Sequence, residues 1–334
     1  LLEESARASE EGVKRFIDPI QGSLNRATSK RHHIVFGRRG SGKSSLLRKV
    51  AADLTTERTP IAYIDMEAFK DHEYPDVLLS VLIETFDRFK EWLSTAAVTP
   101  ANHTLFWKAF SFGIRPKKPV LSKERTQNLV REIERHIDEL KAVLYSTDGA
   151  QIQHTSRADF EEQNTNEAGI NIALGSVHAA LRSSENSKQG RAEEIHQIFN
   201  RSKVDFIHRR ILDFQAIFRK IAQLSEVDSF LILDDLYHIR QSDQARVLDY
   251  FHRLAKGNHL WLKVGTIRHR TRWYIHGNPP VGVKLGDDAD EIDLDLTLEK
   301  FFLAKSFLVK VLKGFISECG SITMEQILVD DAII

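Results

Sequence analysis

Apolar residues follow two rhythms along this chain. Short, mostly apolar runs occur at His33-Ile34-Val35-Phe36, Pro60–Met66, Ser229–Leu233 and Leu260–Thr266, while Glu291–Leu296 alternates apolar with acidic. Each reads as a β-strand. Between them lie stretches whose apolar positions recur at the helical period, over Lys43–Leu54, Tyr74–Leu93 and Gln241–Lys256. Strands that alternate with helices predict an α/β fold, with a five-stranded parallel sheet covered by helices on both faces. Ligands of such sheets bind at the carboxyl ends of the strands.

The middle of the chain breaks this alternation. Arg115-Pro116-Lys117-Lys118-Pro119 is a basic link interrupted by proline. Lys123–Tyr145 then has a helical period, with Leu129, Ile133, Ile137, Leu140 and Leu144 on one face. Gly169–Ala179 alternates weakly and predicts a β-hairpin, and Val204–Leu224 predicts a helix leading into the next strand. The division expected is a first core segment at 1–112, a mainly helical insertion at 113–202, a second core segment at 203–299 and the start of a helical lid at 300–334. Long insertions tend to be functional, so this one is either a module for a partner or an elaboration that only packs on the core.

Composition narrows the class. The 334 residues carry 47 Lys+Arg against 47 Asp+Glu, which argues against a generally basic nucleic-acid coat and leaves room for a local basic patch. With 42% hydrophobic and 28% charged residues the chain has ordinary globular composition. No apolar run approaches the roughly 18 residues of a membrane span. The single Cys319 excludes an intramolecular disulfide and suits a reducing compartment, so a cytoplasmic setting is expected. The first residue is Leu and the last ones are apolar, which suggests part of a longer chain.

The strand His33–Phe36 runs into Gly37-Arg38-Arg39-Gly40-Ser41-Gly42-Lys43-Ser44-Ser45, and a helix follows. Strand, glycine turn and helix are the context that gives the pattern G-x-x-x-x-G-K-[ST] its meaning. Glycines at 37, 40 and 42 let the backbone curl with its N–H groups inward, and the helix N-terminus adds positive charge. Lys43 is placed to reach β- and γ-phosphates, and the Ser44 hydroxyl to ligate Mg²⁺. The competing reading is a chance glycine turn before a helix.

A phosphate loop needs a carboxylate on a second core strand, and Ser229-Phe230-Leu231-Ile232-Leu233-Asp234-Asp235 offers two. Asp234 is expected beside the metal, and Asp235 beside the water that attacks the γ-phosphate, as base or orienter. Alone, this run is also an ordinary strand ending in a solvated acidic turn. The 14 histidines show no paired metal-ligand spacing, and Asp287–Glu291 reads as a charged turn rather than a calcium loop.

Glycine loop, hydrophobic strand with Asp-Asp, then a strand with a polar end: this order resembles the additional-strand P-loop ATPases. Within them it resembles the AAA+ and STAND groups, including origin-recognition-like ATPases. Those groups carry a polar or arginine sensor at the end of the strand beside the Asp strand, where this chain has Thr266-Ile267-Arg268. Ile292-Asp293-Leu294, followed by Thr297–Phe302, resembles a last core strand entering a helical lid. The resemblance covers residues 13–112 and 226–315; a second sensor arginine or Gly-x-Pro motif is not identifiable. It implies an ATP- and Mg²⁺-dependent ATPase acting as a conformational or assembly switch. Arg268 would sense the γ-phosphate, and ATP would promote a homo-oligomer. A role in microbial DNA transactions or anti-phage defence is conceivable on the same footing.

The run Arg268-His269-Arg270-Thr271-Arg272-Trp273-Tyr274 keeps several readings open. Arg268 could act in its own subunit, Arg270 or Arg272 could enter a neighbour's site, or the run could hold nucleic-acid phosphates with its aromatics on bases. A solvated loop is the plain alternative. DNA or a protein partner could meet this run or the insertion. A P-loop kinase for a small acceptor, a nucleic-acid-dependent motor or loader, and a scaffold that holds nucleotide without hydrolysis are the competing functions.

Overall fold

The computed structural model describes residues 16–20, 22–98, 121–145, 200–295 and 300–319. Contacts divide the chain into two compact units, one of residues 1–70 with 227–334 and the other of 71–226. The linking stretch at 115–119 and the hairpin expected at 169–179 lie outside the described residues.

The first unit is built on a five-stranded parallel sheet. Its strands are β1 (His33–Phe36), β2 (Ile61–Asp65), β3 (Ser229–Asp234), β4 (Leu260–Thr266) and, after a two-stranded ribbon of β5 (Tyr274–Ile275) and β6 (Val281–Gly282), β7 (Asp290–Asp293). The order across the sheet is β2-β3-β4-β1-β7. Burial on both faces explains the mostly apolar runs, since β1 and β3 are buried at every position. β7 stops at Asp293 rather than at Leu296, although the Leu294 N–H still bonds Phe36 O at 2.8 Å.

Helices cover the sheet. α1 (Ser23–Thr28) precedes β1, and α2 (Lys43–Leu54) follows the glycine loop. In α2, Lys43, Leu46, Leu47 and Val50 are buried, a stripe at spacings of three and four. Leu46, Leu47 and Val50 form one cluster with Val35 of β1, Ile232 of β3 and Ile292 of β7. Burial of each such side chain contributes about 1.5–3 kcal/mol. From β3 the chain steps to β4 through α6 (Gln241–Ala255), in the direction opposite to the step from β1 to β2. Right-handed crossovers therefore put α2 and α6 on opposite faces. A last helix, α7 (Phe301–Cys319), starts with Phe301 and Phe302 exposed.

The second unit is helical where it is described. α3 (Asp76–Val98) and α5 (Ile211–Ser225) share an aromatic core of Phe86, Phe89, Phe214 and Phe218, and His136 of α4 (Lys123–Leu144) packs edge-on against Phe214. Leu129, Ile133, Ile137 and Leu140 are buried along α4 as their spacing predicts, whereas Leu144 at its end is only half-buried and Val143 is buried instead. The helix expected over Val204–Leu224 is interrupted: residues 200–209 are helical, Arg210 takes φ −85° and ψ 0°, and α5 begins at Ile211. The Arg210 guanidinium pairs with Glu139 at 2.9 Å and with Asp213 at 3.0 Å. Among the described residues, no helix is long and apolar enough to cross a membrane.

Candidate functional site

The loop after β1 takes the shape its glycines permit. Gly40 and Gly42 have φ of 83° and 89°, left-handed values that side chains resist, and Gly42 caps α2. Gly37 serves differently: a Cβ there would collide with the Ser41 side chain and come 3.1 Å from Lys43 Cγ. The Ser41 hydroxyl is buried with no hydrogen-bond partner among the described residues, an orphan polar group inside the loop. The Arg38 N–H donates to Asp295 Oδ1 at 2.7 Å, just beyond β7. Arg39 is exposed, and Ser44 and Ser45 are half-buried in the first turn of α2, where helical N–H groups have no partner within the helix.

Lys43 is 5% exposed. Its Nζ donates to Arg38 O at 3.2 Å and stands 5.9 Å from the centre of the Tyr237 ring. Burial lowers its pKa, against the pull of Asp235, Asp234 and Asp295. Three carboxylates from two distant segments thus act on one buried ammonium.

Asp234 ends β3 and is buried. Its Oδ2 accepts from the Tyr63 hydroxyl at 2.5 Å, and its Oδ1 accepts from the Asp235 N–H at 2.9 Å. Tyr63 lies on β2 with Arg48 over its ring at 5.0 Å, and burial beside Asp234 pushes the phenol's pKa up. Gly265 of β4 supplies the space: a Cβ there would stand 2.5 Å from Asp234 Oδ1 and 2.7 Å from Leu47 Cδ1. Asp235 leaves the strand with φ 55°. Burial first, and then the neighbouring Asp234 carboxylate, raises its pKa to about 6. Tyr237 follows at once, its own pKa raised by burial and by Asp235.

The arginines separate. Phe36 follows Val35 on β1 and so faces away from α2. Arg268 lies on that opposite face, 4.1 Å from the Phe36 ring, and its Nη2 bonds Asp293 at 3.0 Å and Glu291 at 3.1 Å. Its contacts tie β4 across β1 to β7. Arg270, two residues on, lies 5.2 Å from the Tyr237 ring, the same ring that Lys43 approaches.

The structure therefore brings Lys43, Asp234 and Asp235 together at the carboxyl ends of β1 and β3, with the loop residues 37–45 beside them. Tyr63, Gly265, Asp295 and Tyr237 were not singled out from the sequence. Only Gly265 had a local signal, a glycine inside a strand pattern. For a divalent ion, Ser44 and Asp234 are hard oxygen donors, and each Asp234 oxygen accepts one bond and keeps capacity for another. No group of three or more His, Cys, Asp or Glu that could hold a metal occurs among the described residues. No protein-family model matches the chain, and no curated protein or solved structure matches it.

Proposed function

We propose that this chain is a Mg²⁺-dependent ATPase of the AAA+/STAND kind, using ATP as a conformational or assembly switch. The observation that carries the reading is the meeting of Lys43 with Asp234 and Asp235, from segments almost two hundred residues apart, beside a loop with a buried unsatisfied hydroxyl. The sheet order supports it: β4 stands between the loop strand and the Asp strand as the additional strand of that resemblance.

Each residue then has a task. The loop N–H groups and Lys43 bind phosphate oxygens. Ser44 and Asp234 are the donors for Mg²⁺, which when bound screens phosphate charge. Tyr63 and the Asp235 N–H hold the Asp234 carboxylate in one orientation. Asp235, with a pKa of about 6, is mostly ionised at neutral pH and basic enough to take a proton from water. For Arg268 to sense phosphate it must exchange Asp293 and Glu291 for the nucleotide. Homo-oligomerisation on ATP, and DNA or protein contacts through the insertion at 113–202 or residues 268–272, belong to the same proposal.

Phosphate release and fluorescent-ATP binding by the purified chain test it. Lys43→Ala is expected to weaken binding. Asp235→Asn should bind ATP and turn it over about 10²-fold more slowly. Unchanged turnover in Asp235→Asn would move the base elsewhere. Phosphorylated acceptor without free phosphate would select a kinase, and stimulation by DNA a motor or loader.

A further inference from the structure

One buried amide joins the two strand exits that bracket this site. Gln244, in the first turn of α6, is 1% exposed. Its Nε2 donates to Ile239 O at 2.9 Å and to Arg270 O at 3.3 Å, and its Oε1 accepts from the Arg272 N–H at 2.8 Å. Ile239 closes the short segment that leaves β3 through Asp235 and Tyr237. Arg270 and Arg272 belong to the segment that leaves β4. Thr271 anchors that second segment from below, its hydroxyl 2.5 Å from the Thr266 hydroxyl and 2.8 Å from Ile267 O.

We infer that Gln244 is a positioning residue: it fixes the β4 exit against the β3 exit so that Arg270 stands over Tyr237, the ring that Lys43 of the same subunit also approaches. This rests on the ATPase reading above. A backbone tether, rather than a side-chain pair, suits the task. The Arg270 guanidinium is exposed and long, so its reach is set by where its own Cα is held. Gln244 holds the carbonyl of Arg270 and, across Thr271, the N–H of Arg272. The same side chain holds Ile239, so a shift of either exit is felt by the other. Arg268 fits this division, because its pairs with Glu291 and Asp293 direct it across the sheet rather than toward Tyr237. Arg270 then supplies positive charge where charge develops on the phosphate being released.

The test is a double-variant cycle on the whole chain with Gln244→Met, which keeps length and loses all three hydrogen bonds, and Arg270→Ala. Steady-state hydrolysis, fluorescent-ATP affinity and amide exchange over residues 267–273 are read for each. Either single variant should lower kcat by about 10²-fold, since displacement of a catalytic group by about 1 Å has effects of that size. Nucleotide affinity should stay within about twofold, a fraction of a kcal/mol. The double variant should be no slower than the slower single one, and faster exchange at Arg272 should appear wherever Gln244 is replaced and not in Arg270→Ala. A role confined to stability would move exchange and leave kcat in place, or would give losses that multiply. Arg270→Ala decides the matter even if Gln244→Met fails to fold: wild-type kcat in that variant overturns the inference. Wild-type chain that neither binds nor hydrolyses ATP would instead overturn the ATPase reading, and this one with it.

Discussion

Two lysines are buried in the first unit, one in the first turn of α2 and one in the middle of β4, and they are satisfied in opposite ways. Lys263 lies on β4 two positions before Gly265, hence on the same face, and has no exposed surface. Its Nζ donates to Ser29 O at 2.6 Å and Arg31 O at 2.8 Å, and lies 3.0 Å from His33 Nδ1. Two backbone carbonyls thus accept from this one amino group. Lys43 has one carbonyl, at 3.2 Å, and the charge of three carboxylates around it. Burial is common to both and therefore says nothing about function. What distinguishes Lys43 is hydrogen-bonding capacity the protein leaves unspent.

The sharpest way to break this contrast is to truncate each lysine and read both stability and turnover. Lys43→Met should lower turnover by about 10²–10³-fold, the scale of a lost electrostatic contact to the reacting group, with little change in unfolding midpoint. Lys263→Met should do the reverse. Two carbonyls lose their donor, so about 2–4 kcal/mol of stability should go while ATP affinity stays. Equal loss of stability in both variants would erase the distinction.

A pH series sharpens it further. Burial depresses the Lys263 pKa to about 7, whereas the unfolded chain keeps that proton to about 10.4. Between those values the unfolded state binds more protons, so stability rises with pH, by up to about 1.4 kcal/mol per unit. Urea midpoints from pH 7 to 9 should climb in the wild type more steeply than in Lys263→Met; parallel slopes would show that Lys263 stays charged. The smallest expected change is at Tyr63→Phe, which removes one of the two bonds that orient Asp234. The Mg²⁺ concentration for half-maximal turnover should rise about 10-fold. No rise would leave the Asp235 N–H as the sole orienting contact.

How much of this could be read beforehand follows from what is local. The loop 37–45 and the pair Asp234-Asp235 are contiguous, and each announces itself by strand, turn and helix chemistry. β4 was placed to the residue because its apolar run has polar ends. Tyr63 could not be assigned, because its value depends on β2 lying beside β3, where its neighbour in register is Ile232. Asp295 and Gln244 act on segments far away in sequence, and nothing in their own surroundings points to those partners. Arg268 shows the converse: its position in the sequence suggested phosphate, but Glu291 and Asp293 on the next-but-one strand hold it in the structure. The break at Arg210 leaves no mark in the sequence, because Phe206, Ile207, Phe214 and Phe218 keep a helical rhythm through it.

The left-handed backbone at Asp235 gives selection a choice. Glycine accepts φ 55° without steric cost, whereas other residues lose roughly 1–2 kcal/mol there, aspartate less than most. A library screened only for survival of heat would therefore enrich Asp235→Gly, and a library screened for turnover would reject it. At this one codon the sturdier protein and the working one are different sequences.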